Sequence, residues 1–237
     1  MSKFKFLYLI FGIALLVFIF NKVDFNSFLN ELNKLRFSFF AILIIYFVGF
    51  ILDSYSWQLC IENLVNTKLK LHQIFKIRII GEAFNYIFFQ VGGEPVKAFL
   101  LKNNYGIKYK SSIGSLILAK TIILFALIIF CFIGLVSIFY TNKFGDNFEK
   151  ASLIGFVLFT TLISLFFIVQ RYKLTSKFHN IFKNKLSKKF NNFFKHLQET
   201  EHKIADFYKK TKKDFFKILF LNLCNWFFGA LELYAIF

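Results

Sequence analysis

Between Gly81 and Leu101 the chain reads Gly81-Glu82-Ala83-Phe84-Asn85-Tyr86-Ile87-Phe88-Phe89-Gln90-Val91-Gly92-Gly93-Glu94-Pro95-Val96-Lys97-Ala98-Phe99-Leu100-Leu101. Two carboxylates, two amides and an ammonium thus sit in a largely apolar stretch. Glu82 and Asn85 are three residues apart, as are Glu94 and Lys97, so each pair shares a helical face. Between the pairs stand Gly92-Gly93 and Pro95, the only proline of the chain. Adjacent glycines permit positive backbone angles, and proline lacks an amide hydrogen and resists helix continuation. The expectation is a sharp break, with Pro95 in the first turn of a short following helix. A further cation, Lys120, stands alone in the apolar run 113–140. The chemistry open to such a set is the binding of charged groups away from bulk water. Ionisable side chains at bilayer depth cost about 2.5–3.5 kcal/mol each on insertion scales, so they usually have a partner or a function. The plainer alternative is that Glu94 and Lys97 only staple the turn at the membrane interface.

The elements that hold these residues follow from composition. Hydrophobic residues make up 57% of the 237, aromatics 22%, and mean hydropathy is +0.57; soluble chains stay near 45–50% apolar, roughly. The excess is gathered in long uncharged runs, which excludes a soluble basic protein and argues against nucleic acid as a partner of this +17 chain. We expect an all-α, polytopic membrane fold making one membrane domain over residues 1–237. Its spans are about 4–20, 37–57, 113–140, 152–169 and 215–237, and its re-entrant broken hairpin is 77–101. Residues near Phe20 offer no small-residue cleavage site, so the first run reads as an uncleaved span. Trp57 suits an interface. The last run stops at Phe237 without polar flanking residues, the pattern of a chain that continues in a longer protein.

Charge sets the topology. Fourteen of the 30 Lys and Arg lie between Arg171 and Lys217, against four acids, which places that segment in the cytoplasm by the positive-inside rule. Working backward and forward from it, with Lys3 and Lys5 inside, both flanks of 77–101 fall on the cytoplasmic face. A single crossing there would invert the rest of the chain, so the segment must leave on the side it entered, as a re-entrant hairpin or as two short crossings. The amino terminus is therefore expected to be cytoplasmic, and the expected location is the plasma (inner) membrane. Within 171–214, Phe178, Ile181, Phe182, Leu186, Phe190, Phe193, Leu197, Ile204 and Phe207 recur at three- and four-residue steps among lysines, an amphipathic pattern expected to rest on a membrane surface and bind anionic headgroups.

No metal-ligand spacing, nucleophile–base pair or nucleotide loop is present, so neither a catalytic set nor a cofactor is expected. Cys60, Cys131 and Cys224 read as small apolar fillers, and His72, His179, His196 and His202 as polar loop residues. Broken helices in transporters aim the positive end of a half-helix at an anionic group. On that model the substrate-binding candidates are Glu82, Asn85, Gly92, Gly93, Glu94, Pro95, Lys97 and Lys120, with Glu232 in the last run as a further one. Lys120 would be a counter-ion to Glu82 or Glu94.

The motif Gly81-Glu82-Ala83-x-Asn85 followed by Gly92-Gly93-Glu94-Pro95-x-Lys97-Ala98-x-Leu100-Leu101 resembles the signature of the lysylphosphatidylglycerol synthase transmembrane-region family. The likeness extends in looser form over most of the chain, to Trp226 and Glu232. The resemblance implies a flippase-like domain that moves a phospholipid or lipid-linked substrate between leaflets. Lys97, Lys120 and the half-helix amino terminus after Gly93 would hold a phosphate, and Glu82 or Glu94 a cationic group. Relatives usually carry a proline before the paired glycines, where this chain has Phe88-Phe89-Gln90-Val91, and a later Asp in the long span, where it has only apolar residues. The alternatives are a non-catalytic membrane partner subunit, self-associating or bound to another membrane protein, and a membrane-embedded transferase acting on a lipid-linked substrate. The large soluble aminoacyl-transfer domain of some relatives is absent from these 237 residues.

Overall fold

The structure, a computed structural model, describes residues 36–65, 67–87, 92–141, 144–172, 198–199, 201–209 and 211–236, with positions 13, 17, 18 and 20. The expected 4–20 span and most of the basic 171–214 segment lie outside the described residues. Among the described residues the helices with defined bounds are α1 Arg36–Val65, α2 Leu71–Ile87, α3 Gly93–Tyr105, α4 Tyr109–Thr141, α5 Asp146–Arg171 and α6 Lys212–Ile236, and residues 201–209 are helical too. No strand occurs among the described residues.

Four of these helices, α1, α4, α5 and α6, are long and apolar enough to cross a membrane. Their outward faces fit no other solvent: Ile154, Leu158 and Leu162 on α5 and Phe216 and Phe220 on α6 are each more than 60% exposed. Apolar faces of that extent are not kept in water by a soluble protein. The chain is therefore an all-α polytopic membrane protein. The helices overrun the apolar runs, because backbone hydrogen bonding continues into flanking polar turns. Thus α1 passes Trp57 to reach Val65, and α5 begins at Asp146.

The segment that was to enter and leave on one side is built from α2 and α3, of 17 and 13 residues. At 1.5 Å per residue they reach about 25 and 20 Å, so α3 is too short to cross the roughly 30 Å hydrocarbon core. The two helices run antiparallel. Gly81 lies against Lys97, and Gly93 against Asn85 and the Gly81 carbonyl. Both legs therefore return to the same end of the bundle.

That end is marked by several packed segments. Lys203 Nζ donates to Ser111 Oγ at 2.9 Å, Lys110 pairs with Glu199 at 3.0 Å, and Lys217 Nζ donates to Tyr55 OH at 2.7 Å. Leu64 at the end of α1, Leu69 before α2 and Ile107 between α3 and α4 join Ile204 and Phe207 in one buried core. We call this the basic end. Ile204 and Phe207, expected to rest on a membrane surface, instead close the core, since they are 2% and 4% exposed. Trp57 is likewise no interfacial anchor: it is buried, and its Nε1 donates to Ser115 Oγ at 3.3 Å.

Antiparallel pairs complete the bundle. Asn222 Nδ2 on α6 donates to Ser56 Oγ on α1 at 2.7 Å, and Thr121 Oγ1 on α4 meets Gln170 Oε1 on α5 at 3.2 Å. Phe125 stacks edge-on against Phe167, centroids 4.7 Å apart.

Gly106 closes α3 in the left-handed region, with φ 66°. Its amide caps the Leu101 and Lys102 carbonyls, and nothing stands within 4 Å of where a Cβ would be. Gly106→Ala should therefore cost only the left-handed penalty of about 1–2 kcal/mol. A small drop in detergent melting temperature, with an unaltered elution profile, is the expected result.

Candidate functional site

The break between α2 and α3 places the polar residues of both legs together. Asn85 Nδ2 donates to Glu82 Oε2 at 2.9 Å, and Asn85 Oδ1 accepts from the Gly93 amide at 2.8 Å. One side chain thus fixes a carboxylate on its own helix and caps the amino terminus of the next. The cap is needed because the first amides of a helix have no intrahelical acceptor. Gly92, the residue ahead of α3, is right-handed (φ −71°, ψ −26°), and Gly106 is the positive-φ glycine among the described residues. The paired glycines therefore do not serve the positive angles expected of them. Gly93 serves close approach, since a Cβ there would strike the Gly81 carbonyl oxygen and the Asn85 amide. Pro95 falls in the first turn of α3, where its missing amide hydrogen costs nothing.

Lys97 runs its stem across Gly81 and ends between two acids. Its Nζ lies 2.7 Å from Glu82 Oε1 and 3.2 Å from Glu94 Oε1, and its side chain is 4% exposed. Glu94 Oε1 also pairs with Lys120 Nζ at 3.3 Å, and the Lys120 side chain is 58% exposed. Of the two partners expected for Lys120, the structure gives Glu94. The four residues thus form one chain of alternating charge, Glu82–Lys97–Glu94–Lys120, with a buried cation at its middle and an open one at its end.

Two residues that the sequence reading passed over extend the cluster. Arg78 on α2 forms an ion pair with Asp53 on α1, and its guanidinium lies 5.0 Å over the Phe50 ring. Arg78 Nε and Glu94 Oε2 are both buried with no hydrogen-bond partner among the described residues. Asp53 follows directly on the apolar run that ends at Leu52, yet falls inside the expected 37–57 span. The helix continues another three turns past it, to Val65. The signal for Arg78 was available: it is a lone cation in Ile77-Arg78-Ile79-Ile80.

Depth follows from the helix bounds. Glu82, Glu94 and Lys120 each lie eleven residues from the basic end of their helix, and Asp53 lies twelve. Four helices therefore agree on a level about 16–18 Å in, close to the middle of a hydrocarbon core about 30 Å thick.

Two cavities meet at this level. One, of about 400 Å³, is lined by Tyr46, Asp53, Arg78, Glu82, Lys120 and Trp226 among others, and it runs along α1 and α6 to Gly229 and Glu232. Glu232 lies twenty residues along α6 from Lys212, roughly 30 Å, so the cavity reaches from mid-depth toward the end opposite the basic one. The other, of about 360 Å³, is lined by Glu82, Asn85, Tyr86, Glu94 and Lys120. Glu82 and Lys120 face both. Of the candidates, Glu82, Asn85, Gly93, Glu94, Lys97 and Lys120 are drawn together; Gly92 and Pro95 shape the break; Glu232 sits far along the first cavity. No group of three or more metal-ligating side chains occurs among the described residues.

No curated protein and no solved structure matches the chain. A family model, that of the lysylphosphatidylglycerol synthase TM region, matches residues 5–237, which include both legs of the hairpin and every residue of the charge cluster. This chain therefore belongs to the lysylphosphatidylglycerol synthase TM region family, a family of lipid-handling membrane proteins.

Proposed function

We propose that the chain moves a phospholipid or lipid-linked headgroup between leaflets, passing it through the two cavities while the acyl chains stay in the bilayer. The observation that carries this reading is Lys120: an exposed cation at mid-depth of the long apolar helix α4, paired only to the rim of the cluster and shared by both cavities. A cation held open at that depth is costly unless it meets an anionic group in the working cycle. Lys97 is already surrounded by carboxylates, and the Gly93 amide is taken by Asn85. Lys120 is thus the residue that receives a headgroup phosphate, displacing Glu94 as it does so. Lys97 acts as a strut that keeps Glu82 and Glu94 in place. The basic end faces the cytoplasm, with the protein in the plasma membrane, because the lysines of 171–217 favour that side.

The test is leaflet-resolved transfer of fluorescent lipid in vesicles reconstituted with purified protein. Lys120→Met should leave the melting temperature within a few degrees, because its side chain is largely exposed, and should reduce the transfer rate at least tenfold. Transfer by Lys120→Met at the wild-type rate would sink the proposal.

A further inference from the structure

The charges of the cluster can be matched one to one. Asp53 is paired with Arg78, Glu82 with Lys97, and Glu94 with Lys120. Three acids and three bases at one level of the bundle leave no net charge. An incoming headgroup with a net charge would leave one side chain, or itself, uncompensated in a poorly polarisable setting, where that imbalance is penalised most heavily. A headgroup carrying one charge of each sign would not. It can open the Glu94–Lys120 pair, placing its anion on Lys120 and its cation on Glu94, and the sum remains zero.

From this balance we infer that the headgroup taken by the site is zwitterionic: a phosphodiester linked to a cationic nitrogen. The inference rests on the translocation reading above and narrows its substrate class. The cavity walls supply both halves. Lys120 is the accessible cation, while Glu82 and Glu94 are 27% and 29% exposed and can accept from an ammonium. Tyr46, Trp226 and Phe228 line the larger cavity alongside the acids, and aromatic faces attract cations, quaternary ones included. Glu232 does not upset the count, because it lies about 30 Å from the basic end of α6, beyond the cluster's level.

Native mass spectrometry of the detergent-purified full chain reads the selectivity directly, using phosphatidylethanolamine, phosphatidylcholine and phosphatidylglycerol as competing probes. The two zwitterions should be retained at least fivefold over phosphatidylglycerol, and the ethanolamine and choline arms separate a hydrogen-bonding ammonium from an aromatic-caged one. Glu94→Gln leaves the cluster one positive charge in excess and should invert the ratio toward phosphatidylglycerol. Glu82→Gln should do the same and serves if the first variant does not fold. Indifference of the wild type to headgroup charge, or an unchanged ratio in both variants, overturns the inference. Lipid transfer without selectivity would overturn this inference and leave translocation standing, whereas selective binding without transfer would support it and remove translocation.

Discussion

Lys97→Met is expected to lower the melting temperature of the detergent-solubilised protein by on the order of 10 °C and to abolish lipid transfer. The side chain is 4% exposed and its ammonium is the shared partner of Glu82 and Glu94. Removing it strands Glu82 without a cation, while Glu94 keeps its pair with Lys120. Breaking a buried pair by deleting one partner costs about 3–5 kcal/mol, because the remaining charge is stranded. The expectation has a reciprocal. Adding Glu82→Gln to Lys97→Met removes the stranded charge, so the double variant should recover most of the lost stability while remaining inactive. A double variant no more stable than Lys97→Met would mean that the loss came from packing of the lysine stem on Gly81 rather than from charge.

Gly93→Ala carries the second large effect. A methyl group there meets the Gly81 carbonyl oxygen and the Asn85 side chain. Backbone cannot rotate out of the way, so the legs of the hairpin must separate. Separation withdraws Asn85 from the Gly93 amide and draws Lys97 away from Glu82, adding lost hydrogen bonds of about 1 kcal/mol each to an overpacking cost of about 1–3 kcal/mol. The variant should express poorly or elute as aggregate, and any folded fraction should transfer lipid far more slowly than wild type. Gly106→Ala is the matched control, since it changes the glycine that caps the far end of α3 without touching a neighbour. If both variants behaved alike, close approach at the break would not be what the paired glycines provide.

The hairpin was legible because the constraint on it was global: the positive-inside rule applied to both flanks of 77–101 left no room for a single crossing. The grouping of Glu82, Asn85, Glu94 and Lys97 was legible too, since three-residue spacing within each leg and a glycine–proline break between legs leave few other arrangements. Physical reasons also explain what was missed. A glycine pair announces permissiveness without saying which use is made of it, and here Gly93 gives close approach rather than left-handed backbone. Lys97 and Lys120 look equivalent as isolated cations, yet one is enclosed by acids and the other is open, a distinction set by helix packing. Asp53 stood where hydropathy falls, and hydropathy marks the edge of an apolar run rather than the edge of a helix. The apolar stripe at Ile204 and Phe207 was expected on a membrane surface but closes the protein core, because periodicity does not say whether lipid or protein covers an apolar face.

All of this depends on α2 and α3 returning to one end of the bundle, so that residues before α2 and after α3 share one face of the membrane. The direct measurement uses single-cysteine variants Lys68→Cys, Lys108→Cys and Asp146→Cys, each made after replacing Cys60, Cys131 and Cys224. All three positions are exposed. They are treated with a membrane-impermeant maleimide in right-side-out and inside-out vesicles. Positions 68 and 108 should label together from one side and position 146 from the other. Labelling of 68 and 108 from opposite sides would mean a single crossing between them, and the charge cluster described above would have no common depth.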